Sequence, residues 1–495
     1  MPFIGSMLVE SLYLLALAGL CVYGLNTYIM LALHWWHGRR RPATKTPEPP
    51  AVWPMVTVQL PVYNERYVAR RVLGAVGAFD YPHDRLEIQL LDDSTDATTE
   101  ILGEAARELR DRGVTVTHRR REVRSGFKAG ALAAGLADAR GEFVAIFDAD
   151  FVPPPDFLRR TIPHFADAQV AVVQTRWGHL NRDFSWLTIA QSFALDAHFG
   201  VEQSARAWGR LFLNFNGTAG VWRIAAIEDA GGWAADTVTE DLDLSYRAQL
   251  RGWRVRYVPH LTCPAELPVL VTGFKSQQRR WAQGSIQTAV KLLPAVLRAP
   301  QPRWVKYQAM IHLTAYLAHP CMLTVALLSV PAFELRGHAL PAPLIEGVGL
   351  ACSLVMFGPL TLLMYAQYVL SPQWWRRIWQ LPSLMLMGVG VALSTSLGIL
   401  GAVRGKDREF IRTPKFGIGS AGGTWEGKAY VDRRLWGGVL ELGLGAYTMS
   451  TIWQAWQHAQ YGMLPFLALS TAGFLVVGAL TILHSTTHVS RPRGR

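Results

Sequence analysis

Charge is scarce in this chain. Of its 495 residues only 17% are Asp, Glu, Lys or Arg, while 50% are hydrophobic. So little charge excludes an intrinsically disordered protein and a long coiled coil. Cysteine is scarcer still. Cys21, Cys263, Cys321 and Cys352 show no CxxC spacing, and three of them lie in apolar runs. A disulfide-stapled secreted domain is excluded, and all four are expected to be buried free thiols. Internal repeats and low-complexity tracts are absent. Acidic residues are in the minority: 37 Asp+Glu face 49 Lys+Arg, a net charge of +12. That excess suits nucleic acid, anionic headgroups or phosphate-bearing substrates, and the positions of the cations decide among them.

What is abundant is long apolar sequence. Residues 11–33 carry no charge and are followed by His34-Trp35-Trp36-His37-Gly38-Arg39-Arg40-Arg41. The run is long enough to span a bilayer, and the Trp pair suits its interface. A cleaved signal peptide fits less well, because the basic cluster follows the run. The positive-inside rule puts the N-terminus outside and residue 39 onward in the cytoplasm. Further apolar runs lie near 307–333, 343–370, 378–402, 435–457 and 463–484. If all of them cross, 403–434 falls outside, although it holds eight Lys/Arg against four Asp/Glu. The run 378–402 follows Trp374-Trp375-Arg376-Arg377 and contains Pro382. We therefore expect it to lie along the interface, which leaves five crossings and a cytoplasmic C-terminus.

Between these runs the texture differs. Residues 39–54 include Pro42, Pro47, Pro49, Pro50 and Pro54, the composition of a stiff linker. Strand-like runs at 56–60, 86–91, 114–117 and 143–147 then alternate with helix-like segments near 66–78, 97–111 and 128–138. This is the pattern of an α/β doubly wound sheet, whose ligand site lies at the C-terminal ends of the strands. The expected division is a transmembrane helix at 1–38, a linker at 39–54, an α/β domain at 55–274, an amphipathic interfacial helix at 275–300 and a membrane region at 301–495.

Several motifs fall at the predicted sheet edge. The first strand ends in Tyr63-Asn64-Glu65 and the second in Asp92-Asp93-Ser94. Asp92 and Asp93 suit a base or ribose, or a metal; Asp93 and Ser94 suit a helix cap equally. The last strand ends in Asp148-Ala149-Asp150. Two hard carboxylates there suit Mg²⁺ or Mn²⁺ shared with substrate phosphates, and also suit a solvated turn. Gly126-Phe127-Lys128 opens a helix whose N-terminus can meet phosphate, though its glycines can serve close packing alone. Asn216-Gly217 lets backbone approach a substrate or makes a plain turn. Glu240-Asp241 offers a proton acceptor or a helix start. Gln277, Arg280 and Trp281 bring a phosphate partner and an aromatic face onto an amphipathic helix, or anchor that helix to a membrane surface.

In this order, over about 190 residues, the motifs resemble those of the family 2 inverting glycosyltransferases, and among them the processive polysaccharide synthases. Longer strings are similar to the cellulose-synthase-like glucomannan and glucan synthases and their bacterial relatives. They include Gln89-Leu-Leu-Asp-Asp-Ser-Thr-Asp96, His198-Phe-Gly-Val-Glu-Gln203, Phe215-Asn-Gly-Thr-Ala-Gly-Val-Trp-Arg223 and Glu266-Leu-Pro268. The resemblance implies a GT-A-like domain inserted between transmembrane helices. It implies Asp241 as catalytic base and Asp92 and Asp93 as nucleotide holders. It implies Asp148 and Asp150 at the diphosphate and its Mg²⁺ or Mn²⁺, and Gln277, Arg280 and Trp281 at the diphosphate and acceptor. Tyr63, Glu65, Lys128, Asn216, Gly217 and Glu240 complete the expected donor site. A loop like the family's gating loop, 403–434, carries Phe410-Ile411-Arg412-Thr413-Pro414-Lys415, with Arg412 departing from the family's Val. Thr413 and Lys415 are expected to meet the donor.

The activity so implied is transfer of a hexose from GDP-mannose or UDP-glucose to a β-linked, membrane-translocated polysaccharide. The alternative is a non-processive glycolipid synthase of the ceramide or sterol glucosyltransferase type. Expected partners are the nucleotide sugar, a polysaccharide or glycolipid acceptor, the lipid bilayer and accessory subunits. Nucleic acid is not among them. High Arg and Ala usage points to a bacterial inner membrane, with the catalytic domain cytoplasmic.

Overall fold

The computed structural model describes residues 2–40, 47–334, 342–405, 412–419, 422–430, 435–457, 461 and 464–486. Its centre is a seven-stranded sheet. The strands are β1 (Val56–Val62), β2 (Leu86–Asp92), β3 (Thr115–Arg120), β4 (Phe143–Ile146), β5 (Val170–His179), β6 (Gly220–Arg223) and β7 (Arg254–Ala265), in the order β3-β2-β1-β4-β6-β5-β7. Every residue of β2 and β4 is buried. Helices cover both faces of such strands, and their sequences read as continuous apolar runs. β3 closes one edge and is partly exposed and basic.

β1 pairs in parallel with both β2 and β4. The strand order therefore reverses beside β1, and the loops after β1 and β4 diverge around a crevice. β6 runs antiparallel to β4 and β5, which makes the sheet mixed. Alternating strand and helix patterns gave no sign of this reversal, because β6 is only four residues long and follows irregular chain. Beyond the sheet, the helix Val271–Arg298 buries Ala282, Ile286, Ala289, Leu292 and Val296 along its inner side. At 28 residues it is about 42 Å long.

Helices also occupy the expected spans: Pro2–Arg40, Arg303–Thr314 with Ala318–Glu334, Ala342–Leu370, Trp436–Gln457 and Leu464–Thr486. Among the described residues, four segments are long and apolar enough to cross a membrane: Met7–Arg40, Arg303–Pro331, Trp374–Val403 and Leu464–Thr486. The third contains the run expected to be interfacial. It is interrupted, with a tight helical turn at Trp374–Gln380 followed by helices of 10 and 12 residues, Leu381–Gly390 and Ala392–Val403. These are about 15 and 18 Å long, each shorter than a hydrocarbon core of about 30 Å. The first packs Met387 on Leu187 and Ala190 of the α/β domain, and the second sets Gly398 against Arg279.

The thiols depart from expectation at one position. Cys263 and Cys321 are free, but Cys21 is disulfide-bonded. Its helix packs closely on others through Gly19, which faces Cys321, and Gly24, which faces Val355. Spacing along the chain carries no trace of such proximity.

One buried ion pair ties the Val271–Arg298 helix to the helices Trp436–Gln457 and Leu464–Thr486. Lys275 Nζ lies 2.6 Å from Glu441 Oε1, and Thr481 Oγ1 hydrogen-bonds both side chains. Removing one partner of such a pair strands a buried charge. Glu441→Gln should therefore lower stability by about 3–5 kcal/mol. The double variant Lys275→Met with Glu441→Leu should recover most of that loss. Thermal unfolding in detergent measures both, and an unchanged Glu441→Gln melting point would remove the pair from the account.

Candidate active site

The crevice at the sheet edge is an open cleft. Tyr63 and Glu65 enter it from the loop after β1, Asp93 from the end of β2, and Asp148 and Asp150 from the end of β4. Lys128 comes from the first turn of the helix Phe127–Leu136, and Asn216 and Gly217 from the stretch before β6. Glu240 and Asp241 open the helix Glu240–Leu250. Gln277, Arg280 and Trp281 face the same space from Val271–Arg298, and Thr413 and Lys415 close it. Asp92 is the exception among the expected residues. It is 1% exposed and points away, accepting from Ser94 N–H at 2.9 Å and lying 2.9 Å from His118 Nε2. Phe410 and Ile411 of the loop motif lie outside the described residues.

Two glycines allow this convergence. Gly217 has φ +80°, and a Cβ there would lie 2.8 Å from Asp241 Oδ2. Gly284 lets the Val271–Arg298 helix press on Thr239, the residue before Glu240, where any side chain would overlap it. Arg280 and Trp281 are thereby brought beside Asp241. Asn64, Phe127 and Ala219, all at or next to cleft loops, also have positive φ. Strained backbone of this kind concentrates at functional sites.

The charges are tightly interlocked. Lys128 Nζ donates to Asp148 Oδ1 at 2.5 Å and to the Gly217 carbonyl at 3.0 Å, and lies 3.9 Å from Glu240 Oε1. Burial alone would lower the Lys128 pKa, but Asp148 and Glu240 outweigh it and raise it. Burial, and then the neighbouring Glu240, push Asp241 up to about 7 against the pull of Lys128. Burial pushes Glu65 up to about 8, with Arg412 opposing, Asp150 adding and Lys415 opposing. Buried Arg280 has its pKa lowered by that burial, while Glu240, Asp148, Asp241 and Asp150 hold it charged.

Three partners escaped sequence reasoning. Arg121 grips Asp93 with Nε at 2.9 Å and Nη2 at 2.5 Å. Arg412, noted only as a departure from a motif, lies 3.1 Å from Glu65. Glu266, quoted only within a string, accepts two backbone N–H groups of the 412–418 segment. The string Glu266-Leu-Pro268 was the one available signal for the last.

A model of the family described as "Glycosyltransferase like family 2" matches residues 54–284. Glucomannan 4-beta-mannosyltransferase 1 of Oryza sativa subsp. japonica is 34% identical over 445 residues, covering 86% of this chain and 82% of that relative. The chain belongs to glycosyltransferase family 2. Glucomannan 4-beta-mannosyltransferase 2 of Arabidopsis thaliana is 44% identical over 259 residues, 51% of this chain and about half (48%) of that protein. Among solved structures, the mannosyltransferase PcManGT from Pyrobaculum calidifontis, in complex with GDP-Man and Mn²⁺, shares the fold. It has a TM-score of 0.51 and 23% identity, and the match covers 78% of this chain and 99% of that one. The α/β domain is thus a GT-A-like glycosyltransferase fold.

In this family 2 chain, Gly217 answers to a steric test. Gly217→Ala combines a left-handed backbone with a side chain driven at Asp241. It should cost about 1–3 kcal/mol, read as a lowered melting temperature. A melting temperature equal to the parent's would show that the loop relaxes freely.

Proposed function

We propose that the protein transfers a hexose from GDP-mannose or UDP-glucose to the end of a growing β-1,4-linked glycan, with inversion at the anomeric carbon. The observation that carries this reading is Asp241. It is a half-buried carboxylate at the head of a helix, its pKa pushed up to about 7, lining the cleft together with Arg280 and Trp281. The similarity to glucomannan 4-beta-mannosyltransferases supports mannose as the sugar and a β-linked glycan as the product.

The acceptor hydroxyl gives its proton to Asp241 as its oxygen bonds to the anomeric carbon. The bond from that carbon to the diphosphate oxygen breaks on the opposite face, and the nucleoside diphosphate leaves with the electron pair. An α-linked donor so yields a β-linked product. Lys128 and Arg280 offset the charge developing on the leaving group. Trp281 offers a ring face to the acceptor sugar, and Asp93 and Tyr63 flank the nucleotide. Asp148 and Asp150 are the residues that would hold Mg²⁺ or Mn²⁺. Their hard oxygens fit such an ion, and both carboxylates line the cleft just past the end of β4. An ion with two protein ligands keeps positions open for donor phosphates. When bound, it supplies charge neutralisation to the departing diphosphate.

The setting follows the same reading. The α/β domain lies on the cytoplasmic face of a bacterial inner membrane, with 378–402 along the interface and the product led out between the spans. Lipid bilayer and accessory subunits are its partners. The interrupted helices Leu381–Gly390 and Ala392–Val403, packed on cytoplasmic elements, support the interfacial placement.

Asp241→Asn should lower transfer by roughly 10²–10⁴-fold while leaving nucleotide-sugar binding intact. Retained turnover would remove Asp241 as base. Only the deprotonated carboxylate accepts a proton, so kcat/KM should rise with pH and level off above about 7. Lys128→Met removes a charge that pulls the Asp241 pKa down, so its acid limb should move to higher pH. Incubation with labelled GDP-mannose or UDP-glucose should give insoluble product that mannanase or cellulase degrades. Label found only in organic extract would replace the polymer with a glycolipid.

A further inference from the structure

The cleft carries its own cations at the acids expected to meet the metal and the donor. Lys128 sits on Asp148 and Arg121 on Asp93. Lys415 and Arg412, from the 412–418 segment, sit on Asp150 and Glu65. Lys415 Nζ is 2.5 Å from Asp150 Oδ2, within the space a divalent ion bound to that oxygen would need.

The segment is seated by a carboxylate outside those pairs. Phe416 N–H donates to Glu266 Oε1 at 2.7 Å and Ile418 N–H to Oε2 at 3.0 Å. Gly417 between them has φ +71°, which turns both N–H groups toward one anion in a small nest. Arg71 donates to Oε2 at 3.1 Å. The Glu266 carbonyl accepts from Lys415 Nζ at 2.5 Å, and the Glu266 N–H donates to the Asp150 carbonyl at 3.2 Å. Phe416 and Ile418 are buried against Val269 and Leu270. Thr413 lines the cleft, and its hydroxyl is buried with no hydrogen-bond partner among the described residues.

We propose that Glu266 is the positioning residue that fixes the backbone of 412–418 over the donor site, so that the Lys415 ammonium can exchange partners. It neutralises Asp150 while the cleft is empty and moves to the donor's diphosphate when a divalent ion takes Asp150. The exchange rests on the glycosyltransferase reading above. It has a signature that a purely structural role lacks: removing the Lys415 charge shifts metal and nucleotide affinity in opposite directions.

The test uses the full chain in nanodiscs. Mn²⁺ binding is titrated by electron paramagnetic resonance without nucleotide, and GDP or UDP binding is titrated with Mn²⁺ saturating. Lys415→Met should tighten Mn²⁺ roughly tenfold, within the range of about 5- to 150-fold usual for linked sites, and weaken nucleotide binding by a similar factor. Lys415→Arg should stay near the parent. Unchanged or weaker Mn²⁺ binding in Lys415→Met would overturn the exchange. Glu266→Gln should tighten Mn²⁺ and expose the bond after Lys415 to trypsin, with Glu266→Asp partly restoring protection. Parental Mn²⁺ affinity and trypsin resistance in Glu266→Gln would overturn the seating role. If that variant does not fold, Lys415→Met still decides the exchange. A parent chain that binds Mn²⁺ but neither nucleotide would sink the glycosyltransferase reading and leave the metal–lysine exchange standing.

Discussion

The Lys128 ammonium is the contact through which the cleft holds together. It joins the end of β4 through Asp148, the turn before β6 through the Gly217 carbonyl, and the head of the Glu240–Leu250 helix through Glu240. Those three elements are far apart in the chain. A buried lysine would ordinarily lose its proton more easily. Here the surrounding carboxylates reverse that tendency, and the lysine in return offsets part of their mutual repulsion. The geometry of Asp241 depends on this arrangement. Gly217 brings backbone against it on one side, Gly284 brings Arg280 and Trp281 against it on another, and Lys128 limits how far its pKa can climb.

Much of this was readable from local pattern. Four apolar runs marked the parallel strands, and acids just past their ends marked the cleft, because a strand that stops at the sheet edge delivers its next residues there. The pair Asp92 and Asp93 shows the limit of that logic. Neighbouring residues of a strand point to opposite faces, so only one of the two can enter the cleft. The chain places Asp93 there and buries Asp92 with His118. Asp241 was a different case: its spacing fits a helix start as well as a base, and the resemblance to family 2 singled it out.

What stayed hidden depends on closure over long separations. Glu266 meets backbone groups 150 and 152 residues later, and backbone N–H groups leave no mark in a sequence. Arg412 looked like a lapse from a motif because its partner, Glu65, lies at the far end of the domain. Antiparallel β6 and the disulfide at Cys21 were hidden for the same reason. Each is set by which segments pack side by side.

The charge balance itself takes a different meaning at the cleft. The chain as a whole is +12, yet the cleft lining has seven carboxylates against five Lys and Arg. The cationic excess therefore lies elsewhere, on stretches such as 39–41 and 376–377 that flank apolar runs. Within the cleft burial is felt as proton uptake: desolvation pushes Glu65 and Asp241 toward 8 and 7, against the pull of the cations beside them. On the proposed reading a divalent cation held by Asp148 and Asp150 would add positive charge near both groups and draw their pKa values back down. Metal arrival and proton release would then be linked. On the proposed reading Asp241 would become competent as a base when the site fills, because the charge that accompanies the donor would favour its ionised form.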